Sequence, residues 1–220
     1  MPTLRKELND SVFYLYGRDP KTGKIVGPQG TGFLVARAGN TDWPTAHYYP
    51  ISNWHVAVQG GASIIRFNIK DGSTRYLEYD PSDWLFSPSS DDLAAVDITA
   101  DIRETDQIFV QSEESFLTPE IIQEYGIGFG EDVFMIGMFA SHHGGERNIP
   151  AARFGNLSML ATPAAPVLLE NGSEQAAHLV DMRSRGGFSG SPVLIYRVPT
   201  GDLSRPSQHN CVMRSRLAIR

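Results

Sequence analysis

The chain has 220 residues, of which 41% are hydrophobic, and it carries 21 glycines, 14 prolines and a net charge of −6 at pH 7. This length can bury a core as one domain or as two joined halves, and the glycine and proline content favours short strands with frequent turns over a helical bundle. The acidic balance gives no reason to expect a nucleic-acid partner, and no apolar run is long enough to span a membrane. We therefore expect an all-β protein with neither a nucleic-acid nor a membrane partner.

Cysteine usage bears on the compartment. Cys211 is the single cysteine, so the chain cannot form an internal disulfide. Secreted domains often depend on such cross-links, whereas cytoplasmic proteins keep their thiols reduced. The short apolar run from Val12 to Tyr16 is also too short for a signal-peptide core. These features predict a cytoplasmic location, in a bacterium or a phage.

The first hundred residues contain short strands separated by turns. Asp71-Gly72, between two segments of alternating polarity, is a strong hairpin signal because glycine adopts the backbone angles that such turns require. Residues from about 100 to 117 are acidic and weakly patterned, which suits a connection. The strands expected before it are Ser11–Tyr16, Thr31–Ala36, Tyr48–Ser52, Ser63–Ile69, Thr74–Tyr79 and Leu93–Ile98.

The second half is expected to begin with one short helix near 118–126. Thr118 is a good N-terminal cap, Pro119 suits the first helical position and Gly126 suits the end. The residues after about 200 are turn-rich and then basic, and Cys211–Met213 is too short to be predicted as a strand. The strands expected in this half are Asp132–Gly137, Ala152–Leu160, His178–Met182 and Pro192–Tyr196.

One turn has the composition of a nucleophile site. Ser189 lies between glycines in the segment 186–192, directly before an apolar strand. Gly187 and Gly190 can adopt backbone angles that a Cβ would forbid, so the N–H groups of Gly187 and Ser189 could converge as an oxyanion hole. The alternative is an ordinary Gly/Ser/Pro turn between two strands, which is common in β proteins.

Two further residues complete a candidate catalytic set. His55 follows the strand that ends at Ser52, and Asp92 precedes an apolar segment, so the chain order is His, Asp, Ser, which is the order of the chymotrypsin-type triad. A serine hydroxyl needs an adjacent base at neutral pH, and that base needs an acid to orient it. Asp91 and Asp97 are rivals for the acid, although only Asp92 directly precedes a Leu-Ala pair.

In these four segments the chain resembles the chymotrypsin-like (trypsin-like) serine peptidases, most closely their disulfide-poor bacterial branch. The resemblance covers about residues 12–197 and implies two six-stranded-type antiparallel β-barrels. It places an N-terminal barrel with His and Asp at 1–100, a C-terminal barrel with Ser at 101–200 and a polar, basic tail at 201–220, which leaves the second barrel incomplete if that tail supplies no strand. The motifs are Gly30-Thr31-Gly32-Phe33-Leu34-Val35, Ile51-Ser52-Asn53-Trp54-His55-Val56, Asp92-Leu93-Ala94 and Gly187-Phe188-Ser189-Gly190-Ser191-Pro192.

The resemblance also implies roles for individual residues. It makes the chain a serine endopeptidase in which Ser189 forms the acyl-enzyme, His55 is the general base and Asp92 orients it. Counting back from the serine as in the family places Arg183 at the floor of the S1 pocket, where it would favour acidic P1 residues; the alternative is that Arg183 turns outward or pairs with a neighbour. Phe188 cannot form the ion pair of zymogen-activated relatives, so activation by N-terminal clipping is not implied.

Two other functions stay open. The absence of an evident strand after Pro192–Tyr196 allows a peptidase-like binding domain that has lost turnover, and the same triad would also serve an esterase. The partner expected for the leading hypothesis is a polypeptide substrate, without cofactor or metal, and the sequence does not give the oligomeric state. His142-His143 invites a metal interpretation, but adjacent histidines point apart and lack a partner at ligand spacing, so a polar loop is expected.

Overall fold

The protein is built mainly of β-strands. The computed structural model describes residues 6–38, 46–86, 92–102, 110–142, 144–168, 174–183, 186–196, 211–213 and 217–219. The strands are β1 (Val12–Arg18), β2 (Ile25–Ala38), β3 (Ala46–Ser52), β4 (Ile64–Asn68), β5 (Thr74–Glu78), β6 (Leu85–Phe86), β7 (Ala94–Ala95), β8 (Gln111–Ser112), β9 (Asp132–Gly137), β10 (Ala151–Met159), β11 (Val167–Leu168), β12 (Glu174–Gln175), β13 (His178–Asp181), β14 (Val193–Tyr196), β15 (Cys211–Met213) and β16 (Leu217–Ile219). The helical elements in these ranges are α1 (Lys6–Asp10), α2 (Pro119–Tyr125), a π-helical turn at His55–Gln59 and 3-10 turns at Pro81–Asp83 and Glu113–Ser115.

The chain forms two compact units that are interleaved in the sequence. The first unit is Met1–Glu113 with Ile136–Ala151 and Arg185–Ser191, and the second is Glu114–Met135 with Ala152–Ser184 and Pro192–Arg220. His55, Asp92 and Ser189 therefore belong to the first unit, and Arg183 belongs to the second. The two predicted barrels, 1–100 and 101–200, are by contrast each one continuous segment of the chain. Their boundaries, and the closure of the strands into barrels, stay predictions.

The first unit contains an eight-stranded sheet with β1 near its centre. Its strand order is β5-β4-β1-β2-β3-β7-β6, with β8 pairing to β2, and all of these pairs except β2–β8 are antiparallel. The run Val12–Tyr16 is buried along its whole length, which explains why it is almost continuously apolar. The core of this unit is formed by Phe13, Leu15, Leu34, Val56, Ala57, Ala62, Ile65, Phe67, Ile69, Leu77, Trp84, Ala94, Val96 and Ile98.

The predicted Asp71-Gly72 hairpin is confirmed. β4 and β5 pair antiparallel, and Ile69 N donates to Ser73 O at 2.9 Å across the turn. Gly72 has φ of +101°, an angle that a side chain would strain, and the Asp71 carboxylate accepts from Ser73 N at 2.8 Å. The local sequence signal therefore determines this turn.

The second unit contains a six-stranded sheet of order β15-β14-β9-β10-β13-β16. β14 pairs antiparallel with β9 and with β15, whereas β16 runs parallel to β13. The expectation that Cys211–Met213 forms no strand is wrong: these three residues pair with Val193–Ile195. A three-residue strand has almost no signal of its own, and here the exposed edge of β14 provides its partner.

The predicted helix is confirmed as α2. Thr118 Oγ1 accepts from Ile121 N at 3.3 Å, and Pro119 occupies the first helical position. Gly126 ends the helix with φ of +58°, in the left-handed region that glycine adopts without strain.

The predicted strand Leu93–Ile98 is shorter than expected. Only Ala94–Ala95 pair as β7, between β3 and β6. Val96 N still donates to Pro50 O at 3.2 Å and Ile98 N to Tyr48 O at 3.0 Å, but the chain then turns where the Asp97 carboxylate accepts from Thr99 N. The segment thus follows β3 without forming a regular ladder.

Candidate active site

Ser189 lies on a tight turn of the first unit and is exposed to solvent. Ser191 N donates to Phe188 O at 3.0 Å, which closes the turn, and Gly187 and Gly190 have φ of +97° and +85°. An L-residue with a side chain is strained at either angle. Glycines on both sides of the serine are therefore a requirement of this backbone path.

Gly190 is also required by a close approach of backbone to backbone. A Cβ added to Gly190 would lie 2.0 Å from the Thr31 carbonyl oxygen and 2.3 Å from Ser52 Oγ. A Cβ on Gly187 would lie 2.7 Å from Met138 Cε and 2.9 Å from its carbonyl oxygen. Because a larger residue at either position would push the turn away, Gly190 allows the Ser189 turn to approach β2, and Gly187 allows it to approach Met138.

His55 begins the π-helical turn that follows β3. Its Nδ1 lies 2.5 Å from Asp92 Oδ2, and its backbone N–H donates to Asp92 Oδ1 at 2.9 Å. An ionised carboxylate only accepts hydrogen bonds, so Nδ1 carries the proton and Nε2 is left as the basic nitrogen. The imidazole is 46% exposed, which leaves it accessible to a reactant.

Asp92 is held by a third donor. Asn53 Nδ2 donates to Asp92 Oδ2 at 3.0 Å and to the Asp92 carbonyl oxygen at 2.7 Å. The hydrogen bond to Asp92 raises the pKa of His55 above its ordinary value, with a smaller opposing effect from burial. This pair can therefore orient an imidazole and stabilise the imidazolium that forms when it accepts a proton.

The structure distinguishes Asp92 from one of its two rivals. The Asp97 carboxylate accepts from Thr99 N at 2.9 Å, and its hydrogen bonds to Thr99 lower its pKa. Asp97 thus binds its own loop, whereas Asp92 contacts His55. Asp91 lies outside the described residues.

Thr31 of β2 links the serine turn to the strand that leads to His55. Thr31 N donates to Ser189 O at 2.9 Å, and Ser52 Oγ donates to Thr31 O at 2.6 Å. Ser52 ends β3, three residues before His55. The structure therefore joins His55 and Asp92 directly, and it places the Ser189 turn against the same part of the first unit.

The direction of a predicted oxyanion donor can be deduced from the geometry of the trans peptide. C=O and N–H point in opposite directions in a trans peptide. Because Phe188 O points into the turn towards Ser191 N, the N–H of Ser189 points out of it. The carbonyl of Gly187 accepts from Thr31 Oγ1 at 2.6 Å, so Gly187 is also anchored from the side of β2.

Arg183 is exposed and borders an open cavity of about 440 Å³ in the second unit. Its carbonyl oxygen accepts from Arg153 Nη1 at 3.0 Å. The cavity is lined by Ala152, Arg153, Phe154, Asp181, Met182 and Arg183. The lining thus includes two arginines and one aspartate, and the assignment of Arg183 to an S1 pocket stays a prediction.

Two aromatic residues near the candidate triad are packed as core residues. Trp54 packs against the core of the first unit, with its ring centroid 6.1 Å from that of Phe86. Trp54 therefore contributes to the packing of this core. Phe188 is 2% exposed, and it lies beside Gly137 at the end of β9.

Sequence reasoning did not assign roles to Thr31, Ser52 or Asn53, although all three lie in the motifs. Their hydrogen bonds join segments that are far apart in the chain, so spacing alone does not reveal them. The available signal was polarity: Thr31 and Ser52 are almost fully buried although both are polar, and a buried polar side chain needs a partner.

The described ranges contain no group of three or more His, Cys, Asp or Glu side chains placed to bind a metal ion. His142 is exposed, and His143 lies outside those ranges. Among the helices that the structure describes, none combines the length and the apolar character needed to cross a membrane. Neither a protein-family model nor a curated protein matches this chain.

Proposed function

We propose that this protein is a serine endopeptidase with a chymotrypsin-like triad of Ser189, His55 and Asp92. The observation that supports this most strongly is the double contact of Asp92 with His55, through Nδ1 and through the backbone N–H. An ordinary surface ion pair between histidine and aspartate would need only the side-chain contact through Nδ1. The second contact, together with the bond from Asn53, fixes the ring orientation, which is what a general base requires.

In the proposed reaction, Ser189 Oγ attacks the carbonyl carbon of a peptide bond while His55 Nε2 takes the hydroxyl proton. The N–H groups of Gly187 and Ser189 bind the oxygen that becomes negative. His55 then gives the proton to the leaving amine, the C–N bond breaks, and an acyl ester remains on Ser189. Water, deprotonated by His55, attacks this ester; the bond from the carbonyl carbon to Ser189 Oγ breaks, and His55 returns the proton to Ser189 Oγ as the acid is released. Asp92 stays ionised throughout.

The finer features of the proposal rest on the resemblance. Each barrel would be six-stranded and antiparallel, and the substrate would be a polypeptide bound without cofactor. Arg183 would pair with an acidic P1 side chain, because a guanidinium binds a carboxylate through two hydrogen bonds. A cytoplasmic location is proposed from the single cysteine.

The binding-domain alternative has lost part of its motivation. It arose because no strand was evident after β14, and β15 now extends the sheet beyond it. An esterase with the same triad remains the second candidate, and comparing turnover of matched peptide and ester substrates separates the two.

The decisive experiment is labelling with a fluorophosphonate, which reacts with an activated serine. Ser189→Ala should abolish labelling and peptide cleavage while the protein stays folded, because Ser189 is exposed on a turn. Ser191→Ala is the matched control. Its buried hydroxyl group, two residues away, has no hydrogen-bond partner among the described residues, so its loss should leave labelling intact. Labelling that survives in Ser189→Ala would refute the nucleophile assignment.

The same preparation, given a peptide library varied at P1, tests Arg183. Cleavage mainly after Asp or Glu is expected. Cleavage mainly after Lys, Arg or large apolar residues would exclude the acidic-P1 proposal.

A further inference from the structure

Thr31 is fully buried, and its hydroxyl group has two partners. Met138 N donates to Thr31 Oγ1 at 2.9 Å, and Thr31 Oγ1 donates to the Gly187 carbonyl oxygen at 2.6 Å. The direction of both bonds is fixed, because a backbone N–H can only donate and a carbonyl oxygen can only accept.

The backbone of Thr31 makes a second connection to the same turn. Thr31 N donates to the Ser189 carbonyl oxygen at 2.9 Å. One buried residue therefore binds the carbonyl groups of both Gly187 and Ser189. These are the two residues whose N–H groups are the proposed oxyanion donors.

We propose that Thr31 is a positioning residue that holds the oxyanion hole in its productive geometry, with its hydroxyl group fixing Gly187. This inference rests on the proposed function. It goes beyond the triad, because Thr31 acts through Gly187 and Ser189 and touches no substrate.

Gly187 has more backbone freedom than a residue with a side chain. The Gly187 carbonyl belongs to the peptide between residues 187 and 188, which links the peptide that carries the Gly187 N–H to the peptide that carries the Ser189 N–H. Glycine has access to a wide range of φ and ψ, so without a partner for this carbonyl the linking peptide can rotate and change the relative direction of the two N–H groups. At φ of +97° the observed conformation is one of several that this glycine can adopt. The hydrogen bond from Thr31 Oγ1 selects that conformation before the substrate arrives, which is the preorganisation that transition-state stabilisation requires.

Thr31→Val tests the role of the hydroxyl group. Valine has nearly the same shape and suits a strand, but it leaves Gly187 O and Met138 N without their partner. We expect kcat to fall about 100-fold, the low end of the effect of losing one oxyanion donor, while KM changes less than threefold. Thr31→Ser keeps the hydroxyl group and should restore most of kcat.

A spectroscopic measurement separates positioning from general loss of stability. A peptidyl trifluoromethyl ketone adds Ser189 Oγ to its carbonyl, and the resulting oxyanion can be titrated by ¹³C NMR. Its pKa should rise in Thr31→Val and stay at the parent value in Thr31→Ser, while the His55 titration is unchanged in both. Ser52→Ala is the matched control, since it removes a buried hydrogen bond to Thr31 O without touching Gly187.

The outcomes are distinguishable. A parent protein that neither hydrolyses peptides nor reacts with a fluorophosphonate would refute the proposed function. An active parent whose Thr31→Val variant keeps its kcat and its oxyanion pKa would overturn the positioning role alone, as would equal kcat losses in Thr31→Val and Ser52→Ala. If Thr31→Val does not fold, Thr31→Ala, which leaves room for water, should still lose at least about tenfold in kcat; parent-level kcat in that variant would also overturn the role.

Discussion

Replacing Asp92 with asparagine changes one oxygen of the carboxylate into an NH₂ group that cannot accept a hydrogen bond. Three N–H groups now converge on this carboxylate: His55 N on Oδ1, and His55 Nδ1 with Asn53 Nδ2 on Oδ2. An amide can satisfy only one side. If its NH₂ faces the ring, Nδ1 must accept, and the proton moves to Nε2, where the base is needed.

Asp92→Asn should affect stability and catalysis to different extents, because solvent reaches this site. Asp92 is 35% exposed, so water can reach a donor left without a partner, and the free energy of unfolding should fall by only about 1 kcal/mol. The wrong tautomer, by contrast, should lower kcat about 10⁴-fold, as in other triads where the acid becomes an amide. Catalysis should thus be lost while folding is largely retained.

The assay is the rate of fluorophosphonate labelling as a function of pH. The reaction needs neutral His55, and its pKa is raised by Asp92, so the parent rate should rise with pH through that raised pKa. In Asp92→Asn the remaining rate should rise at lower pH. Asp97→Asn, which changes a carboxylate that accepts a hydrogen bond from Thr99 N of its own loop, should behave as the parent. Parent-like labelling by Asp92→Asn, or an equal loss in Asp97→Asn, would refute the reasoning.

Two further predictions concern folding. Gly190→Ala combines a left-handed φ with a Cβ 2.0 Å from Thr31 O, so unfolding in urea should show a loss of about 2–5 kcal/mol. Gly186→Ala, whose Cβ would meet no atom of the described residues within 4 Å, should lose less than about 1 kcal/mol. Equal losses would contradict the close approach. Burial lowers the pKa of His178, whose Nδ1 accepts a hydrogen bond from Ala161 N at 3.1 Å. As pH falls below 6.5, the unfolded chain takes up a proton on this histidine that the folded protein excludes, so the parent protein should lose stability. His178→Gln should reduce this pH dependence in calorimetry between pH 7 and 5, and an unchanged dependence would remove His178 as its source.

The elements that could be predicted from the sequence are those with local signals. The Asp71-Gly72 turn and the capped helix α2 depend on residues within a few positions of one another, so propensity is sufficient. β8 and β15 have two and three residues, and each forms because a longer strand offers an unpaired edge. Such an edge exists only once the tertiary fold is present, and no local pattern records it.

The candidate site likewise contains one feature that the sequence predicted and others that it did not. The motif order predicted the pairing of His55 with Asp92, which the structure places in direct contact. It did not predict that Thr31 joins Met138 to Gly187, because these partners are 107 and 156 residues away from Thr31. Hydrogen bonds over such distances depend on the register of several strands at once.

The interleaved units have a consequence for how the protein reaches its native state. The first unit contains the segment Arg185–Ser191, and the bond between Thr31 and Gly187 closes a loop of 156 residues. Contacts of such sequence separation form slowly, because the entropy of closing the loop is lost before the contact is gained. While translation has gone beyond His55 and Asp92 but has not reached residue 185, the chain therefore lacks both the nucleophile Ser189 and the segment Arg185–Ser191 of the first unit. Any hydrolytic activity of this unit must therefore wait until the segment Arg185–Ser191 has been synthesised and has joined it.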